Sequence, residues 1–170
     1  MKIDILELIN GKKDKMEIHT EISRDKFNFN DKEMTFLGPI RFSGVMKKKK
    51  DSYVLKGICE VILTCPCDRC LDEAVLNLKF EIEQQYSTEE LGLDVKLIVN
   101  NVIDLYEVVE EYLYLNIPLQ IICSPSCKGL CSYCGVNLNK EQCKCSDEVE
   151  GEVSEQEIDP RFLKLKSLFK

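Results

Sequence analysis

Apolar positions along this chain recur mostly at every second residue. In "KIDILELI" (residues 2–9) Ile3 and Ile5 alternate with charged neighbours, which predicts a strand, and "MEIHT" and "KFNFN" predict two more short ones. The stretch "GPIRFSGVMKKKKDSYVLKGICEVILTC" reads as a long hairpin with Lys47 to Lys50 and Asp51 at its tip. Along its second arm Tyr53, Leu55, Cys59, Val61, Leu63 and Cys65 share one face at period two, so Cys59 and Cys65 are expected in the core. "AVLNLKFEIEQQYS", with Val75, Phe80 and Ile82, and "LDVKLIV" predict further strands.

After residue 100 the period changes. Leu105, Val108, Val109, Tyr112 and Leu115 fall at helical spacing, Asp104 can cap the first turn, Glu107 completes a capping box, and Pro118 limits the run. Asp159 and Pro160 have the form of a second helix start, with Phe162, Leu165 and Phe169 along one side. These elements predict an α+β chain: an antiparallel sheet or open barrel, one packed helix, a cysteine-rich loop pinned by zinc, and a C-terminal helix. The boundaries are a β-rich domain over 1–122 with its helix at about 104–116, a cysteine-rich segment over 123–146, an acidic linker over 147–158 and the terminal helix over 159–170.

A chain of 170 residues can bury a sizeable core without covalent staples. Its N-terminus lacks the unbroken apolar run of a secretory signal, and no window is apolar enough to span a membrane, so a cytoplasmic protein is expected. In that reducing compartment, closely spaced thiols point to metal or redox chemistry before disulfides. The formal charge of −7 opposes unspecific nucleic-acid binding by the whole surface, although Lys47 to Lys50 and the tail bearing Arg161, Lys164, Lys166 and Lys170 are local exceptions. The bland account of both runs is a solvated turn and a helix end.

Ten cysteines carry the chemistry. In "CSYCG" two thiols two residues apart can grip one tetrahedral ion from a tight turn, and Gly135 after them permits a positive φ. With Cys143 and Cys145, Cys131 and Cys134 make one four-thiolate site. Cys67 and Cys70 of "CDRC", joined to Cys123 and Cys127, make a second that ties the sheet to the segment following the helix. Alternative pairings exchange Cys127 with Cys143 or Cys145, or draw on Cys65. Closed sites leave no coordination position for a substrate, so two zinc ions held this way are structural.

Two enzymatic readings compete. Cys127, Cys131, Tyr133 and Cys134 satisfy a pattern resembling the iron–sulfur motif of radical S-adenosylmethionine enzymes, but too little chain follows Cys134 to build their β/α barrel. Thiol redox through Cys67 and Cys70 would want an exposed thiolate at a helix start, whereas this pair follows a strand. The single histidine, His19, lies in a strand-like stretch and reads as an ordinary polar residue, and Glu110 and Glu111 diverge on a helix instead of forming a carboxylate pair. No hydrolase, metalloprotease, Walker or dinucleotide motif occurs, so neither catalysis nor a small-molecule substrate is expected.

"CDRCL", "IDL" (Ile103 to Leu105), "EEYLYLNIP", "CKGLCSYCGVNLN", "CKC" and "DPRFLKLKSL" occur in the order found in the YceD family of large-subunit (23S) ribosomal RNA accumulation proteins, which the last hundred residues resemble. Ser132 stands where that family often has proline, Glu110 where a basic residue is common, and Cys65 is extra. The resemblance implies a part in 23S rRNA accumulation and ribosome assembly, with precursor 23S rRNA or a basic large-subunit ribosomal protein as partner. Glu110 weakens any claim that the helix faces RNA. An acidic surface suits a basic protein partner, with steering that fades as salt rises.

Overall fold

The computed structural model describes residues 1–145 apart from Asp51, Leu91 and Leu93. The acidic linker over 147–158 and the C-terminal helix over 159–170 lie outside the described residues.

One strand organises the molecule. β6 (Ser52–Pro66) pairs along its whole length with β7 (Glu73–Ser87), from Tyr53 opposite Tyr86 to Pro66 opposite Glu73. Its other edge is shared. β5 (Ile40–Lys49) pairs with Ser52 to Glu60, and β4 (Lys32–Phe36) takes over at Leu63 and Thr64. The hand-over happens at Leu37, Gly38 and Pro39, where proline cannot donate to a ladder and Leu37 N–H reaches Ile62 O at 2.9 Å. β2 (Lys15–Ile22) continues the sheet beyond β5, and β3 (Lys26–Phe29) beyond β4. β8 (Val95–Leu97) adds the sheet's parallel pair alongside β7. This seven-stranded, mostly antiparallel sheet stays open and does not close into a barrel. A separate pair joins β1 (Lys2–Asp4) to β9 (Val102–Asp104).

Period-two alternation decides which face is wet. Outward positions bring Glu21, Arg41, Glu60 and Lys79 into one row across four strands, with ion pairs of 3.2 Å between Arg41 and Glu21 and 2.8 Å between Lys79 and Glu60. Inward positions put Phe42, Met46, Leu55, Cys59, Leu63, Phe80 and Ile82 into the buried cluster. The same cluster takes Leu105, Val108, Val109 and Leu113 from α2 (Leu105–Asn116) and Leu8 from α1 (Leu6–Ile9). No helix among the described residues is long and apolar enough to cross a membrane.

Three sequence expectations change here. Residues 6–9 form a turn of helix, because Ile5 and Leu8, three apart, both bury completely, and Asp4 Oδ1 accepts the Leu6 N–H at 2.8 Å. Leu115 is 80% exposed, and Leu113 takes the buried place on α2. The Asp104 side chain does cap α2, accepting the Tyr106 N–H at 3.0 Å, but Glu107 turns away to Lys96, which it shares with Glu111 at 2.7 and 2.6 Å.

Candidate metal centres

All ten cysteines are free thiols, and eight of them gather into two tetrads. Cys67, Cys70, Cys123 and Cys127 form one; Cys131, Cys134, Cys143 and Cys145 form the other, with the sulfurs of each within 4.8 Å of one another. Measured Sγ separations are 3.9 Å for Cys67 and Cys127, 3.5 Å for Cys70 and Cys123, 3.2 Å for Cys131 and Cys143, and 3.6 Å for Cys134 and Cys143. A tetrahedral ion with metal–sulfur bonds of about 2.3 Å holds its sulfurs about 3.8 Å apart, so both donor sets fit such an ion.

Local backbone geometry builds each half-site. The first tetrad starts where β6 ends: Cys67 N–H bonds to Asp72 O at 2.7 Å and Leu71 N–H to Cys67 O at 3.0 Å, closing a knuckle. Leu71, directly after the second cysteine, sits left-handed at φ 62°; Gly135 holds the corresponding place in the second knuckle at φ 73°. Glycine adopts that conformation freely, whereas leucine there costs about 1–2 kcal/mol. Within the knuckles, backbone N–H groups two residues on aim at the leading sulfurs, Arg69 N to Cys67 at 3.4 Å and Tyr133 N to Cys131 at 3.5 Å.

These donors act on ionisation. Burial alone would raise Cys67, but N–H groups of Arg69, Cys123 and Cys70 bring it down to about 6. Cys131 falls to about 6 mainly through the N–H groups of Cys134 and Tyr133. Cys123 is pushed up to about 12 by its contacts with Cys70 and Cys127, and Cys145 to about 12 by Cys143 and Cys134. In each tetrad one sulfur ionises readily and another resists, because like charges crowd one small volume. A divalent cation at the centre removes that conflict.

Charged and amide side chains fasten the cysteine-rich segment to the knuckle, and their roles were not visible in the sequence. Asp68 pairs with Lys32 and accepts the Ile121 N–H at 2.7 Å; Lys32 first, then that N–H, holds its carboxyl below the usual range. Asp72 accepts Lys140 at 2.6 Å and Asn137 at 2.8 Å. Arg69 donates to Cys127 O at 2.8 Å while its own carbonyl accepts Leu130 N–H at 2.9 Å. The acids flanking the thiols in "CDRCLD" were the available signal. Gly129, at φ 81°, brings its backbone so close that an added Cβ would lie 3.1 Å from Arg69 O. Gly129→Ala should therefore cost about 2 kcal/mol, read as a lower denaturant midpoint with unchanged slope.

The other candidates lie apart from this chemistry. Cys59 and Cys65 are buried in the core, and burial, with Glu60 adding, pushes Cys59 up to about 12. His19, on β2, meets Ser43 Oγ at 2.7 Å and belongs to neither tetrad.

The profile of the family described as "Large ribosomal RNA subunit accumulation protein YceD" matches residues 55–169, which include most of β6, all of α2 and both tetrads. The chain belongs to the YceD family. Among curated proteins, this YceD-family chain is 24% identical over 143 residues to the "Large ribosomal RNA subunit accumulation protein YCED homolog 1, chloroplastic" of Arabidopsis thaliana, covering 65% of the chain and 44% of that protein. It is 43% identical over 44 residues to the Zea mays protein of the same name, covering 25% of the chain and 15% of the relative. An uncharacterized protein of Mycobacterium bovis is 30% identical over 106 residues, 58% of the chain and 47% of the relative. The chain thus spans less than half the length of the curated relatives it matches. No solved structure matches it.

Proposed function

We propose that this chain is a non-enzymatic, cytoplasmic assembly factor that supports accumulation of large-subunit 23S rRNA, scaffolded by two structural zinc ions. Cys67, Cys70, Cys123 and Cys127 hold one ion; Cys131, Cys134, Cys143 and Cys145 hold the other. Four thiolates per ion leave no position for water or substrate, so the metal supplies cross-linking and no Lewis-acid chemistry. The β-rich part over 1–122 carries the cysteine-rich segment over 123–146. The partner is precursor 23S rRNA or a basic large-subunit ribosomal protein, the latter favoured by a net charge of −7.

Membership of a family described by rRNA accumulation carries this reading. The zinc assignment is supported by sulfur spacing that suits a tetrahedral ion. Tagged protein recovered from growing cells at gentle salt should bring large-subunit precursors with it, detected by sequencing the RNA and mass spectrometry of the proteins. Their absence would sink the assembly role.

The alternative is a thiol redox or iron–sulfur enzyme: N–H donors lower the Cys67 thiol, but Cys67 is buried where a redox thiol is exposed. Alkylation separates the two. For a structural site, Cys67 and Cys70 react slowly with iodoacetamide until a chelator is added, and rapid labelling of untreated protein would favour redox chemistry. Cys59→Ala with Cys65→Ala should leave two metal equivalents per chain by elemental analysis.

A further inference from the structure

The fold merges two lysine runs that are far apart in sequence. "GKKDK" (residues 11–15) and "KKKK" (Lys47 to Lys50) meet because β2 pairs with β5 in a register that sets Lys15 directly opposite Lys47. Lys48 N–H donates to Asp14 O at 3.1 Å, and Lys48 Nζ reaches Ile9 O at 3.4 Å, drawing the first run against the hairpin tip. All seven lysines of the two runs are exposed. Glu7 takes Lys13 at 2.6 Å and Glu17 takes Lys15 at 3.1 Å, while Lys12, Lys47 and Lys49 form no ion pair with any described residue.

Left to itself this arrangement is unfavourable. Like charges opposite each other across a strand pair destabilise it. Lys50 also sits left-handed at φ 49°, where a hairpin turn prefers asparagine or glycine. A polyanion laid across the tip turns the repulsion into attraction.

We infer that this lysine-rich end of the sheet is a docking site for the phosphate backbone of RNA, engaged without reading sequence. The inference rests on the assembly role proposed above, and it selects RNA as the partner for this surface. Among the described residues, no large apolar or aromatic side chain is exposed within 10–17 or 44–54, so the tip offers nothing to stack on a base or wedge into a bilayer. Contacts are therefore ionic and few. β6 runs from this tip to the first tetrad, about 50 Å at 3.3 Å per residue over its 15 residues, so the lysines and the cysteine sites lie at opposite ends of that strand. In a chain of net charge −7 a basic tip also orients the approach, presenting its lysines to the RNA first.

The test uses the full-length, metal-loaded protein and a fluorescent RNA duplex of about 20 base pairs. With about four phosphates neutralised, the affinity should fall with salt at a log–log slope of about −3 to −4, and equally for scrambled sequences. Lys47→Gln, Lys49→Gln and Lys50→Gln together should weaken binding at least tenfold and flatten the slope by about 2 to 3. Lys56→Gln with Lys79→Gln, two lysines paired to glutamates on the wet face, should change neither. Unchanged affinity in the triple variant overturns the inference, as does binding to phosphatidylserine vesicles with none to RNA. Levels of 23S rRNA in cells lacking the gene separate the two claims. Equal rescue by wild type and triple variant removes the docking site and leaves the assembly role; no dependence of 23S rRNA on the gene removes the role, while the RNA-binding measurement still decides the site.

Discussion

Cys127→Ala should release one of two metal equivalents and lower stability by several kcal/mol, far more than Cys143→Ala, which should also release one. The two tetrads present the same four-thiol donor set but would close loops of different length. Cys67 and Cys127 are 60 residues apart, with β7, β8, β9 and α2 between them, whereas Cys131 and Cys143 are 12 apart. Cross-linking the longer span removes more freedom from the unfolded chain, and a structural zinc site contributes folding free energy directly. Cys127 is also buried against the core, while the second tetrad is partly exposed. Elemental analysis with thermal unfolding reads both effects; equal loss of stability in the two variants would contradict the loop argument. Acid should mimic the substitution. A thiol lowered to about 6 in the folded chain, as Cys67 and Cys131 are, adds stability that is complete above the unfolded thiol range near 9 and lost as pH falls through about 6. Protons also compete with a metal ion for the thiolates, so metal should be released progressively as the solution is acidified.

Gly57→Ala should be nearly as damaging without touching a ligand. Gly57 lies opposite Gly44 across β5 and β6, and the Phe42 ring folds over both. A Cβ at Gly57 would stand 2.5 Å from Phe42 Cζ and 2.8 Å from Ser43 O, and one at Gly44 would stand 2.5 Å from Lys56 O. Phe42 is almost wholly buried, so its ring has nowhere to retreat, and the remaining clashes are with backbone. Overpacking of this kind costs about 3 kcal/mol. Ile58→Ala, one residue away on the wet face, should cost about 0.5 kcal/mol. Urea titration of the pair checks the contrast; a Gly57→Ala midpoint indistinguishable from that of Ile58→Ala would show that the ring does move.

The long hairpin was legible because Cys59, Val61 and Leu63 alternate with the exposed Ile58, Glu60 and Ile62, although Val54 and Thr64 bury as well. α2 was legible because its cap and its apolar spacing agree. β4 was not: "KEMTF" is short, and its pairing with β3 depends on Asn30 and Asp31 both turning left-handed, at φ 47° and 62°. The first residues misled because Ile3, Ile5 and Leu8 satisfy both a strand and a helix period until the core they bury in is known. Leu115 misled because helical spacing alone does not say where the buried stripe ends. Of the metal-site region, the thiol spacing could be read directly. Asp68, Asp72 and Asn137 could not, because their partners are set by the three-dimensional path of the segment after α2.

The first tetrad draws half its donors from the turn after β6 and half from beyond α2, and that division sets an order of events on a translating ribosome. Nascent polypeptide emerges from one end, so Cys67 and Cys70 leave the tunnel long before Cys127, and until then they could offer a metal only a two-handed grip. Full capture of the ion comes once every strand of the sheet is already outside the tunnel, a late latch on a finished body and not a seed for it.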